Sequence, residues 1–296
     1  MKRAIIAALL AAEEAGKAIM DVYGTDSVVA EKKYDGSPLT IADKRSHEII
    51  SRCLRKPLGN NGVHQFPVLS EEGKDIAYGD RAKWEYFWLV DPLDGTKEFI
   101  KRNDEFTVNI ALIRTNRPIL GVIYVPATDT FYFAARGMGS YKLVHQRIAE
   151  LASWGQIADG SDELFNKITK DAIFLSARGA ETRGTALLRV VGSRSHATEQ
   201  QEAFVNALKK NFDLVEIISA GSSLKFCLVA EGKADIYPRF GPTMEWDTAA
   251  GQSIVGESGG EVLSISDRQP LRYNKKDLRN DSFLCKGRFP DSWIIP

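Results

Sequence analysis

The chain has 296 residues, 39 basic and 39 acidic side chains, 44% hydrophobic residues and 26% charged residues. That length buries roughly three quarters of the surface of the unfolded chain, so no disulfide or metal staple is needed, and the composition excludes a disordered or fibrous protein. A formal net charge of zero speaks against duplex nucleic acid as a partner, which needs a basic footprint. It leaves room for a small phosphorylated ligand held by two or three local cations.

Met1-Lys2-Arg3 followed by an apolar run to Ala12 has the basic and apolar parts of a signal peptide. Against that, Ile5, Leu9, Ala12, Ile19 and Tyr23 lie on one helical stripe that continues past Glu13 and Glu14. The stripe predicts an amphipathic first helix. Residues 27–33 read as a short strand, 34–38 as a turn, and 40–54 as a second helix with Ile41, Ile49 and Ile50 as apolar positions. A brief strand at 66–69 ends in Ser70-Glu71-Glu72-Gly73. A stronger one at 84–90 is stopped by Asp91-Pro92-Leu93-Asp94-Gly95-Thr96, and a short helix starts at Lys97.

Residues 106–114, 119–125 and 130–135 predict an antiparallel meander, with turns at Pro118 and 126–129. Residues 145–184 read as irregular and partly helical. Strands at 187–192, 213–218 and 234–237 then alternate with helices at 198–210, 222–231 and 245–257, which predicts an α/β layer. The chain thus divides into an N-terminal α+β half, 1–145, and a C-terminal α/β half, 146–296. Cys53, Cys227 and Cys285 are odd in number and lack CxxC spacing; a reduced, cytoplasmic protein is expected. No apolar run reaches the ~18 residues of a membrane helix.

The chemistry-bearing residues are acidic and sit at predicted strand ends: Glu71 and Glu72, then Asp91 and Asp94, and finally Asp247 at the start of a late helix. Alone, Asp-Pro-Leu-Asp-Gly reads equally well as a turn, and Glu71-Glu72 as a solvated corner. If Glu71, Asp91, Asp94 and Asp247 converge, each pair ~4 Å apart repels by about 4 kcal/mol at an effective dielectric near 20. Cations would have to accompany them. Oxygen donors without His or Cys favour Mg²⁺ over zinc. The Leu93 carbonyl, between the two aspartates, is a further donor. Two such ions form the standard clamp for displacement at phosphorus. Gly95 and the helix start behind it suit a phosphate. The Thr96 hydroxyl either caps that helix or holds the attacking water.

Trp88-Leu89-Val90-Asp91-Pro92-Leu93-Asp94-Gly95-Thr96, with Ser70-Glu71-Glu72 before it and Glu245-Trp246-Asp247-Thr248-Ala249-Ala250-Gly251 after it, resembles the magnesium-dependent, lithium-sensitive phosphatases of the inositol monophosphatase superfamily. The resemblance covers most of the chain. It implies a layered αβαβα sandwich of the inositol monophosphatase and fructose-1,6-bisphosphatase type. It also implies two or three Mg²⁺ ions held by Glu71, Asp91, Leu93, Asp94 and Asp247, with Mn²⁺ as a substitute and Li⁺ and Ca²⁺ as inhibitors. Asp43, which otherwise reads as an exposed helical acid, matches with Thr96 the pair that polarises the nucleophilic water; Glu71 shares that task.

Within the superfamily, five segments resemble the 3'(2'),5'-bisphosphate nucleotidase branch. They are 99–103, 105–113 (Glu105-Phe106-Thr107-Val108-Asn109 onward), Ser193-Arg194-Ser195-His196, 221–232 and Tyr237-Pro238-Arg239-Phe240-Gly241-Pro242-Thr243. The branch implies substrate contacts from Gly95, Thr96, His196, Ser222, Lys225, Arg239 and Asp247. A second phosphate requires cations away from the metals, and Lys225 and Arg239 are suitable. Inositol monophosphatases place an acid about where Arg239 stands. The expected reaction is hydrolysis of the 3'-phosphate of adenosine 3',5'-bisphosphate, and of its sulfated relative. The alternatives are an inositol-phosphate or other sugar-phosphate phosphatase on the same fold, and a non-catalytic phosphate-binding regulator. Gly221-Ser222-Ser223-Leu224-Lys225 is not a P-loop, because its first glycine and the Gly-Lys order are missing.

Overall fold

A computed structural model describes residues 1–25, 30–32, 38–56, 65–145, 147–192 and 199–293. The first half contains α1 (Lys2–Tyr23), β1 (Ala30–Lys32), β2 (Pro38–Thr40), α2 (Ile41–Leu54), β3 (Val68–Ser70), α3 (Tyr78–Arg81), β4 (Tyr86–Asp94) and α4 (Thr96–Lys101). A meander of β5 (Thr107–Arg114), β6 (Arg117–Val125), β7 (Thr130–Ala135) and β8 (Gly139–Val144) leads to α5 (Ile148–Leu151), α6 (Ile157–Thr169) and β9 (Ile173–Phe174). Then come α7 (Gly179–Arg183), β10 (Leu187–Gly192), α8 (Glu199–Leu208), β11 (Leu214–Ser219), α9 (Leu224–Ala230), β12 (Ile236–Arg239) and β13 (Thr243–Met244). The chain closes with α10 (Glu245–Glu257), β14 (Glu261–Ser264), β15 (Arg279–Asn280) and β16 (Phe283–Lys286).

Strands β3 to β9 form a seven-stranded sheet in sequence order; β3 runs parallel to β4, and the other pairs are antiparallel. A second sheet has the order β11-β10-β12-β16-β14, parallel at its β10 pairings and antiparallel around β16. Helices α1, α2 and α6 cover one face of the first sheet, and α10 covers the other. Helix α9 joins α10 to the second sheet, whose far face takes Ala180 of α7 and Leu208 of α8. The layers are therefore helix, sheet, helix, sheet, helix, as the motif resemblance implies. The first sheet extends past residue 145, because β9 pairs with β8 and α6 packs on α1; the chain passes to the second sheet only after Phe174.

Four local expectations need correction. Helix α1 is buried from Ala4 through Glu13 on every face, because α2, the sheet and α6 enclose it; a helix apolar all round is a core helix rather than an amphipathic one. Ile41 is 47% exposed, since Thr40 caps α2 and the inward stripe is Ala42, Ser46 and Ile50. Strand β4 continues through the Asp-Pro-Leu-Asp run instead of stopping before it, with its register against β5 shifting between Asp91 and Asp94. The helix expected from Ser222 begins at Leu224; Ser222 has φ 49°. The turn at 34–37, and the ends of the strand at 27–33, lie outside the described residues.

One close approach seats the middle layer. A Cβ on Gly121 of β6 would stand 2.4 Å from the Ala250 carbonyl oxygen. Only glycine lets the α10 backbone lie directly on the sheet there. The N-terminal end of α10 is thereby carried toward the end of β4.

Candidate active site

Three carboxylates come from the first sheet and one from the middle layer. Glu71 stands just past β3, and its N–H donates to the Val90 carbonyl at 3.1 Å, which ties it to the end of β4. The β4 bulge presents Asp91 and Asp94 from one turn. Leu93 N–H donates to Asp91 Oδ1 at 3.0 Å, and Ser46 Oγ–H donates to the Pro92 carbonyl at 2.7 Å, so the Pro92–Leu93 peptide group of that turn is held at both its N–H and its carbonyl. Asp247 is the third residue of α10, and its Oδ2 accepts the Met244 N–H at 2.8 Å. Reaching back to the preceding turn in this way is what an acid at the third helical position does.

Glu71, Asp91, Leu93, Asp94, Gly95, Thr96, Arg239 and Asp247 line one open cleft of about 720 Å³. An adjoining hollow is lined by Asp94, Gly95, Ser222, Lys225, Arg239 and Asp247. Of the predicted set, Asp43 lies behind Thr96 rather than on the cleft, and His196 lies outside the described residues.

The carboxylates feel one another. Burial first, then Glu71, Asp94 and Asp247, pushes the Asp91 carboxyl well above its ordinary range. Asp247 is raised likewise, by burial and then by Asp94 and Glu71. Among the described residues no three His, Cys, Asp or Glu side chains stand as a closed chelating group; Asp91 and Asp247 each turn an oxygen toward a backbone N–H. The donor chemistry fits divalent ions all the same. All candidate donors are oxygens, and acids that resist ionising together are stabilised by positive charge between them.

Asp43 is 1% exposed and works twice. Its Oδ2 accepts Thr40 N–H at 2.7 Å and Thr40 Oγ1–H at 2.6 Å, completing the capping box of α2. Its Oδ1 accepts the Thr96 hydroxyl at 3.1 Å. Burial raises its carboxyl, with the Thr40 hydrogen bonds opposing. Thr96 opens α4, whose cap residue Gly95 has φ 88°. A Cβ on Gly95 would also lie 3.1 Å from Ser222 Cβ and 3.2 Å from the Glu105 carbonyl.

Sequence reasoning took Ser222 as a substrate contact and assigned no role to Thr107, Asn109 or Ser223 behind Asp94. Ser222 Oγ donates to Asp94 Oδ2 at 3.0 Å and lies 2.6 Å from Thr107 Oγ1. Thr107 and Ser223 both donate to Asn109 Oδ1, at 3.1 and 2.7 Å. The positive φ of Ser222 aims its hydroxyl back at Asp94. Thr107 and Asn109 stand in a run already singled out as a branch marker, which was the available signal. Trp246 and Arg279 also line the cleft; Trp246 stands in the motif around Asp247 without a role assigned to it, and nothing in the sequence set Arg279 apart.

Lys225, which alone reads as a surface lysine, is buried. Its ammonium donates to the Ser222 carbonyl at 2.7 Å and sits 5.3 Å from the centre of the Tyr237 ring. Burial lowers it to about 8, with Asp94 opposing and Arg239 adding to the fall. Arg239 donates Nη2–H to the Pro242 carbonyl at 3.1 Å. Its Nε is buried and has no hydrogen-bond partner among the described residues. Arg239 thus lines the hollow with one guanidinium nitrogen that no described protein group satisfies.

Comparison with known proteins follows the same line. Residues 1–295 match the model of the inositol monophosphatase family. The 3'(2'),5'-bisphosphate nucleotidase CysQ of Escherichia coli K12 is 40% identical over 277 residues, covering 93% of this chain and 94% of that protein. The same-named protein of Haemophilus influenzae is 34% identical, covering 96% and 93%. The crystal structure of CysQ from Bacteroides thetaiotaomicron superposes with a TM-score of 0.79 at 42% identity, covering 97% of each chain. The Thermotoga maritima IMPase shares the fold, with a TM-score of 0.65 at 21% identity, covering 94% and 89%. Layers, acidic cleft and matched length agree: the chain belongs to the inositol monophosphatase family.

Proposed function

We propose that the chain is a Mg²⁺-dependent phosphomonoesterase that hydrolyses the 3'-phosphate of adenosine 3',5'-bisphosphate to AMP and phosphate, and accepts the sulfated relative of that nucleotide. The observation that carries this reading is the pair of cations beside the acids. Lys225 and Arg239 line the hollow that adjoins the carboxylate cleft, and Arg239 Nε lacks an acceptor among the described residues. An ester with one phosphate needs only the acidic end; a bisphosphate needs both. The names of the CysQ relatives support the same substrate.

Glu71, Asp91, the Leu93 carbonyl, Asp94 and Asp247 would hold two or three divalent ions, Mg²⁺ or Mn²⁺, with Li⁺ and Ca²⁺ inhibitory. When bound, these ions supply charge neutralisation at phosphorus and a more acidic water. The Thr96 hydroxyl donates its hydrogen bond to Asp43, which leaves its oxygen lone pairs to accept from a water. Glu71 offers a second acceptor, and together the two groups turn the water's lone pair toward phosphorus. First-turn N–H groups of α4, which lack intrahelical acceptors, suit the non-bridging oxygens. Ser222 fixes Asp94, Arg239 can fork onto the 5'-phosphate, and Lys225 adds a point charge. His196 would complete the nucleoside side. The water oxygen bonds to phosphorus, the P–O3' bond breaks, and the water's proton ends on the ribose oxygen.

Phosphate release from adenosine 3',5'-bisphosphate and from inositol 1-phosphate, with Mg²⁺ or with chelator, tests the proposal in the wild type and in Arg239→Glu. Preference for the nucleotide, loss with chelator, and a selective loss of nucleotide turnover in the variant are expected. A preference for inositol 1-phosphate would assign a sugar-phosphate phosphatase instead. Absence of single-turnover release would assign a binding protein.

A further inference from the structure

We infer that Arg279 is a third anion-binding side chain of the cleft, selecting substrates that carry a phosphate or sulfate besides the ester that is cleaved; this rests on the function proposed above. Arg279 lies in β15, directly across from Met244 of β13, the residue whose N–H holds Asp247. Its side chain lines the same cleft as Glu71, Arg239 and Asp247. Arg239 is fastened on the approach to β13, through the Pro242 carbonyl. Arg239 and Arg279 thus both line the cleft that holds Glu71, Asp91, Asp94 and Asp247.

The backbone that carries Arg279 is fixed. The Glu245 side chain is fully buried and pairs with Lys275 Nζ at 2.8 Å; it also accepts the N–H groups of Asn274 and Lys275 at 2.6 and 2.9 Å. Asn280 Nδ2 donates to the Met244 carbonyl at 2.7 Å. The guanidinium itself is loosely held: its carboxylate partner is Asp277 at 3.4 Å, with side-chain exposures of 71% and 68%. An exposed pair of that kind contributes little and is readily exchanged. An anionic group that presents two oxygens side by side, as a phosphate does, competes well for an arginine fork. The cleaved ester belongs at the carboxylates, so the group met by Arg279 is the substrate's other anion.

The experiment compares adenosine 3',5'-bisphosphate with 3'-AMP, which has the same base and one phosphate, in the wild type, Arg279→Gln, Arg279→Glu and Arg279→Lys. In Arg279→Gln, KM for the bisphosphate is expected to rise by up to about fivefold, the range of an exposed ion pair, with the effect on KM rather than kcat. The ratio of kcat/KM for bisphosphate over 3'-AMP should fall further in Arg279→Glu and recover partly in Arg279→Lys. The salt dependence of kcat/KM should flatten in Arg279→Gln. Wild-type turnover of the bisphosphate with an unchanged ratio in all three variants overturns this inference alone. A wild type inactive on the bisphosphate overturns the proposed function and this inference with it.

Discussion

Asp43→Asn separates two jobs that one carboxylate performs. In the folded protein Asp43 caps α2 through Thr40 N–H at 2.7 Å and holds the Thr96 hydroxyl at 3.1 Å. Asparagine keeps one carbonyl oxygen, which can still accept from Thr40, so the cap is retained and the ~1 kcal/mol that loss of a cap costs is avoided. Its amide nitrogen, however, is a donor. Placed against Thr96, it must give a hydrogen bond to Oγ1 rather than receive one; one of the two hydroxyl lone pairs is then taken and the hydroxyl proton loses its fixed direction, so the oxygen is no longer held as an acceptor for water. Loss of a positioned acid–base partner costs about 10²–10⁴ in rate.

Stability should move the other way. Burial raises the Asp43 carboxyl above its ordinary range, so the ionised form is disfavoured by folding. The stability it forfeits is lost as pH rises from the unfolded value of 3.8 through the raised folded one. The amide side chain would remove that pH-dependent cost, so the Asp43→Asn variant should be as stable as wild type or more so at pH 7. Urea unfolding at pH 4 and pH 7, with kcat from phosphate release, measures both. A variant with unchanged kcat, or one destabilised by more than about 2 kcal/mol, the upper cost of a lost cap, would refute the division of labour.

Three further outcomes are expected. Asp91→Asn should abolish chelator-sensitive turnover, by on the order of 10³ or more, without loss of thermal stability, because it removes a buried charge among Glu71, Asp94 and Asp247; preserved magnesium-dependent activity would contradict its role. Lys225 titrates near 8 and is cationic below that value, so KM for the nucleotide should climb as pH passes 8; Lys225→Met should show a high KM and no such climb. Gly95→Ala should lose about 1–2 kcal/mol in thermal unfolding, the cost of a left-handed alanine, and should lower kcat by displacing Ser222; a fully stable, fully active variant would show the turn to be tolerant.

The parts of this fold that were legible in the sequence are those set by local periodicity. Strand β10 and helix α10 fall on the predicted boundaries, and the meander is antiparallel as its turns require. The acidic residues were visible because they cluster at strand ends. The C-terminal strands β14, β15 and β16 were missed because they are short and interrupted by polar turns. Strand β8 was missed because its partner β9 lies in the stretch read as irregular. The Ser222–Asp94 and Ser223–Asn109 contacts span 128 and 114 residues. No local pattern records which hydroxyls meet across layers, and the same holds for Arg279, whose place follows only from β13 pairing with β15.

The buried Glu245 gives the site an order of assembly. Glu71, Asp91 and Asp94 all precede Asp247 in the chain, and the seat of Asp247 is closed by residues 274–280, which are made after all four acids. A nascent or C-terminally clipped polypeptide therefore carries three of the four acids without the anchored fourth. The complete pocket exists only once residues 274–280 have joined it.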